Sequence, residues 1–139
     1  MAQQTSQGLS AIAQQMAQIL PRHASVAIAI LFGSTATGHA RPDSDLDMAV
    51  ATRTPLTAEA RIALIEDLAL TFGRPVDLID LDQVHSPLLQ QILTQGHMIL
   101  CNDRARYAEL LLRMLYEEAD VMPYYRRILS DRRHAWIGT

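Results

Sequence analysis

Asp45 and Asp47 lie two residues apart, and ten residues separate them from a Gly33-Ser34 pair upstream. In a strand, the side-chain period of two turns both aspartates to one face while Leu46 and Met48 turn to the other. Carboxylates sharing so small a space repel unless they are protonated or bridged by cations. Hard divalent ions that take oxygen ligands, Mg²⁺ first, suit the arrangement. Gly33-Ser34 ends the apolar run Val26 to Phe32. A strand that gives way there to a short helix start presents free backbone N–H groups and a small hydroxyl, which suits a phosphate. Acids that hold metal, opposite amides that hold an anion, describe a place where a nucleoside triphosphate is held for nucleophilic attack. A third acid, Asp77, interrupts the apolar segment Val76 to Leu81, and a buried strand aspartate requires a partner.

Gly33-Ser34 followed by Asp45-Leu46-Asp47 resembles the signature of the polymerase-β-type nucleotidyltransferases. The short chain is similar to the minimal nucleotidyltransferases, the MntA antitoxins of HEPN/MNT toxin–antitoxin modules, in the order of its elements over about residues 26 to 101. The resemblance implies that Asp45, Asp47 and Asp77 are the catalytic and metal-holding residues, with two Mg²⁺ ions. Asp77 would also take the proton of the attacking hydroxyl, and Gly33 and Ser34 would hold the triphosphate of ATP. It implies AMP transfer from ATP to a hydroxyl, a tyrosine, of a cognate HEPN ribonuclease toxin, which is thereby neutralised within a hetero-oligomeric complex. One position departs: the family often has Ala-Arg-Gly where this chain has Ala36-Thr37-Gly38. Arg41 is the candidate substitute at the nucleotide.

Two alternatives come from other classes. A degenerate fold would inhibit its toxin by binding and occlusion, through an apolar C-terminal helix. A small-molecule nucleotidyltransferase, acting on an aminoglycoside for example, would need an acidic pocket, to which Asp80 and Asp82 could add charge near Asp77.

The elements that must carry these residues follow from periodicity. Leu9, Ile12, Ala13, Met16, Ile19 and Leu20 recur at helical spacing, with Ser6 or Ser10 as caps and Pro21 closing the segment. Val26 to Phe32 reads as a buried central strand and Asp45 to Ala51 as the next. Thr57 caps a helix ended by Gly73. Val76 to Leu81 is a strand, Pro87 to Gln95 a short helix capped by Ser86, and His97 to Cys101 a last strand. Asn102 or Asp103 caps a long helix to about Ser130, which Pro123 bends or ends; Tyr124 to Trp136 mixes four arginines with three aromatics, and residues 131–139 form a tail. On that helix Glu109 is placed to pair with Arg113. Two apolar stripes run along it, one through Ala108, Leu111, Leu112, Leu115, Ala119 and Met122, the other through Tyr107, Leu110, Met114, Val121, Tyr125 and Ile128. A helix apolar on two faces has two neighbours. The expected fold is α/β (α+β), a small mixed sheet with helices on one face and a long C-terminal helix.

The chain of 139 residues fits one domain, 1–139, without room for a second globular module. A net charge of −3 and the absence of any lysine among its twelve basic residues weigh against generic nucleic-acid binding and against a P-loop. The lone Cys101, in an apolar segment, reads as a buried, inert thiol. The five histidines show no metal-ligand spacing. His39 alone lies between Ser34 and Asp45, and Arg41, Arg53 and Arg74 flank the motif strands. The opening residues lack positive charge and a long apolar core, so a cytoplasmic location without membrane contact is expected.

Overall fold

The computed structural model describes residues 2–38, 41 and 44–137, with side chains at 8–38, 41, 44–119, 127, 129 and 130. Nine main elements follow in order: α1 (Ala2–Ile19), β1 (Val26–Phe32), α2 (Gly33–Thr37), β2 (Leu46–Thr52), α3 (Ala58–Phe72), β3 (Val76–Asp80), α4 (Leu88–Gln95), β4 (His97–Cys101) and α5 (Arg104–Ile137). The sheet order is β3-β2-β1-β4. β1 pairs antiparallel with β2 and β4, and β2 pairs parallel with β3, so the sheet is mixed as expected.

All seven residues of β1 are buried. That requires cover on both faces, and the structure supplies it. Ala29, Leu31, Met48 and Val50 pack with Met16 and Ile19 of α1 and Leu64 and Leu68 of α3. Ile28, Ile30, Phe32, Ala49 and Ala51 pack with Leu89 and Ile92 of α4 and Leu110 and Met114 of α5. The expectation of helices on one face is therefore corrected. The signal was the run of apolar residues without alternation in β1 and in Met48-Ala49-Val50-Ala51, because a one-sided sheet alternates apolar and polar positions. A register shift between Val26 and Ile28 lets Ala27 join the α4/α5 side.

Local chemistry explains most of the element ends. Thr57 accepts the Ala60 amide at 3.1 Å to cap α3, Gly73 closes α3 with φ +63°, and Asp103 accepts the Arg106 amide at 3.0 Å to cap α5. Other expected ends are corrected. α1 starts at Ala2, so Ser6 and Ser10 lie inside the helix rather than at its start. Ser86 does not cap α4; its hydroxyl is buried without a partner, while its amide bonds Glu117 Oε2 at 2.8 Å. α5 continues through Pro123 to Ile137. Proline forfeits one backbone hydrogen bond but does not oblige the helix to stop.

α5 lies on the α4 side of the sheet through Tyr107, Leu110, Leu111 and Met114. Leu112, Leu115 and Tyr116 stay 55%, 56% and 67% exposed, so within the described part this chain covers the stripe of Tyr107, Leu110 and Met114 but reaches the other stripe only at Leu111. The expected Glu109–Arg113 pair does not form. Arg113 turns the other way, donating to the Val84 carbonyl at 3.1 Å and to that of Leu81, and lies 3.8 Å from Glu117. The buried carbonyls of the β3–α4 connection need donors, and an exposed carboxylate on the outer face cannot compete. Cys101 is half-buried, with its thiol 3.8 Å from the Asp103 carbonyl.

Candidate active site

β2 and β3 run side by side from the same end of the sheet, in a register that sets Asp47 opposite Asp77. Parallel strands in register point opposed residues to the same face, here the face of Ala49, Ala51 and Ile79 that α4 and α5 cover further along. Asp45 immediately precedes β2 and is exposed, Asp47 is half-buried and Asp77 is exposed on an edge strand. Burial raises the Asp47 carboxyl above its usual range, and the charges of Asp77 and then Asp45 raise it further. That mutual influence brings the three sequence-predicted acids into one electrostatic site. Asp80 and Asp82 do not join them. Asp80 pairs in register with Val50, at the other end of β3, and Asp82 forms an ion pair with Arg106.

Gly33 follows Phe32, which pairs with Asp47 across β1 and β2. Its φ is +73°, the left-handed region that only glycine enters freely. A Cβ there would overlap the Asp47 carboxylate, standing 3.0 Å from Cγ and 3.2 Å from Cβ. Glycine is thus required twice, by the turn and by the acid it touches. Ser34 is the second residue of the single turn of α2, half-buried, and Gly38 closes that turn with φ +80°. The first amides of the turn precede any intrahelical acceptor and are free to meet an anion.

Thr37 directs its hydroxyl back to the Gly33 and Ser34 carbonyls at 3.2 and 3.3 Å, so it brackets its own turn. Arg41 is exposed, and its amide donates to Ser44 Oγ at 2.8 Å. His39 lies outside the described residues. Arg53 is exposed beyond the far end of β2. Arg74 has a role that sequence reasoning missed: its Nε donates to the Ser44 carbonyl at 2.8 Å and its Nη2 to the Arg41 carbonyl at 3.4 Å. No local pattern could reveal it, because the contact spans 30 residues.

The donor set at the three aspartates is oxygen only, and among the described residues no cation lowers the Asp47 carboxyl. Such a surplus of negative charge suits a hard divalent ion. Among the described residues no three acidic, histidine or cysteine side chains already converge as a metal cage. Mg²⁺ does not need one, since it keeps several waters and binds through one or two carboxylates together with substrate phosphates. The residues present therefore fit that ion.

The family model for polymerase beta, nucleotidyltransferase, matches residues 14–105. The chain belongs to the polymerase-beta nucleotidyltransferase family. The matched region holds Gly33, Ser34, Asp45, Asp47 and Asp77 and stops just inside α5. A curated member, protein adenylyltransferase MntA of Shewanella oneidensis, is 39% identical over 69 residues, and the alignment spans half of this chain and half of that relative. Among solved structures, a tri-AMPylated Shewanella oneidensis HEPN toxin in complex with MNT antitoxin is similar with TM-score 0.69 and 22% identity, over 90% of this chain and 98% of that one. A toxin–antitoxin complex with AMP-PNP is similar with TM-score 0.62 and 24% identity, over 91% and 96%. At that identity these two structures establish the fold that the family shares. Among the described residues no helix is long and apolar enough to cross a membrane.

Proposed function

We propose that this chain is an antitoxin-type protein adenylyltransferase that moves AMP from ATP to a tyrosine hydroxyl of a cognate HEPN ribonuclease toxin. The observation that carries the reading is the Asp47–Asp77 register with Gly33 packed against the Asp47 carboxylate. It supports the reading because, at one end of β1, β2 and β3, Asp47 and Asp77 are neighbours and Gly33 touches Asp47. The names of the similar proteins, an adenylyltransferase and antitoxins seen with an AMPylated toxin and with AMP-PNP, support the choice of nucleotide and acceptor.

Gly33 and Ser34 cradle the triphosphate through backbone amides and hydroxyl, and Arg41 meets its outer charge. Asp45, Asp47 and Asp77 would hold two Mg²⁺ ions, which would supply charge stabilisation to the triphosphate and to the attacking and leaving oxygens. Asp77, the more exposed member of the facing pair, accepts the proton of the acceptor hydroxyl. The hydroxyl oxygen then bonds to the α-phosphorus, the bond from that phosphorus to the β-phosphate bridge oxygen breaks, and pyrophosphate leaves. The product is a neutralised toxin carrying AMP. The whole of 1–139 acts as one minimal domain, in the cytoplasm.

A second reading, inhibition by occlusion, draws on the exposed Leu112, Leu115 and Tyr116 of α5 and on Thr37, whose hydroxyl is turned into its own helix. Mass spectrometry of the toxin after incubation with this protein, ATP and Mg²⁺ separates the two. One or more added AMP units, absent with the Asp45→Ala/Asp47→Ala variant, establishes transfer. A stable complex without mass change establishes occlusion.

A further inference from the structure

We infer that Arg74 is a positioning residue of the metal site, holding the loop that carries Asp45 in place against the start of β3. The inference rests on the proposed metal-dependent transfer and adds a residue to it. Arg74 stands between Gly73, which closes α3, and Pro75, and three residues before Asp77. From there its half-buried side chain reaches back across 30 residues, Nε to the Ser44 carbonyl at 2.8 Å and Nη2 to the Arg41 carbonyl at 3.4 Å.

The backbone repeats the link next door, where the Leu46 amide donates to the Pro75 carbonyl at 2.9 Å. The Ser44 amide also donates to Arg41 at 3.0 Å, and Ser44 Oγ accepts from the Arg41 amide at 2.8 Å. Asp45 is the residue between Ser44 and Leu46. It has no strand pairing of its own, so its place relative to Asp47 and Asp77 depends on these clamps.

Arg74 acts through geometry rather than charge. Its contacts are to backbone carbonyl oxygens rather than to a carboxylate. The planar fork of a guanidinium can bridge two carbonyls at once, whereas lysine keeps the charge but offers a single ammonium centre. Groups hydrogen-bonded directly to metal-binding side chains commonly change metal affinity by about 10–100-fold when replaced; Arg74 acts one link further out, through the backbone beside Asp45, so the lower end of that range is expected.

The test is Mn²⁺ binding, read by the electron paramagnetic resonance signal of the free ion, with the full chain and a non-hydrolysable ATP analogue. Arg74→Gln should weaken Mn²⁺ binding by about 10-fold, and Arg74→Lys should also weaken it despite keeping the charge. Ser44→Ala loosens the same loop without touching Arg74 and should shift the affinity in the same direction by less. The metal-free melting temperature is followed in parallel, and if Arg74→Gln melts early, the exposed-loop variant Ser44→Ala decides. Unchanged Mn²⁺ affinity in Arg74→Gln and Ser44→Ala overturns the inference. Wild-type protein that binds no Mn²⁺ overturns the metal-dependent reading and this inference with it. Wild-type protein that binds Mn²⁺ but transfers nothing to toxin overturns the transfer alone.

Discussion

Asp47 and Asp77 face one another across the parallel β2–β3 ladder, each on the second residue of its strand. This is an uncomfortable pairing for a metal-free protein, and the discomfort has a sign. The folded Asp47 carboxyl titrates above its unfolded value because of burial, Asp77 and Asp45. Between those two values the folded state binds more protons than the unfolded one, so stability falls as pH rises through the window. Thermal melts in EDTA should show the decline from acidic toward neutral pH. Asp47→Asn should remove it and raise the melting temperature near neutrality, while adding Mg²⁺ should restore stability to the wild type only.

Gly33→Ala should damage both fold and site. The left-handed backbone alone costs about 1–2 kcal/mol for a residue with a Cβ, which corresponds to roughly 3–8 °C in melting temperature for a domain of this size. The Cβ also displaces the Asp47 carboxylate. Transfer should therefore fall further than the lost stability explains when activity is measured well below the melting point.

Asp77→Asn should separate chemistry from binding. On the proposed reading, loss of the general base slows transfer by about 10²–10⁴-fold, while the proposed triphosphate contacts at Gly33 and Ser34 are left in place. Equilibrium binding of an ATP analogue should change much less than the turnover rate. An equal loss in both would assign Asp77 to nucleotide binding.

Glu117 ties α5 to the β3–α4 connection, accepting from the Ser86 amide at 2.8 Å and meeting His85 Nδ1 at 2.9 Å. Burial alone would raise its carboxyl, but His85, the Ser86 amide and Arg113 outweigh burial and bring it below its usual value. Its contribution to stability is present above the unfolded carboxylate range and is lost as pH falls through the lowered folded value. Glu117→Ala should cost about 1 kcal/mol and raise hydrogen exchange in α5 near residue 117, without altering nucleotide binding.

Much of this was legible in the chain because it is local. The limits of β1 and β4 follow from apolar runs and their punctuation, and Thr57, Gly73 and Asp103 mark helix ends by their own capping chemistry. The Gly33-Ser34 and Asp45-Leu46-Asp47 spacing singled out the candidate site before any register was known. What escaped was non-local. Sheet order decides that β1 is covered on both faces, and a contact across 30 residues makes Arg74 a clamp. Arg113 met a competition between Glu109 and the carbonyls of the 81–84 connection that helical spacing cannot rank.

The facing of Asp47 and Asp77 also bears on which insertions and deletions a descendant of this chain can survive. Side chains alternate along a strand, so a single-residue length change between Val76 and Asp77, or within the start of β2, would send one acid to the α1/α3 side of the sheet. The same change among residues 53–57 or 82–87 leaves that alternation intact. Length variation should therefore accumulate at one end of the sheet and be purged at the other, so the lineage's gap pattern would itself mark the edge where the chemistry sits.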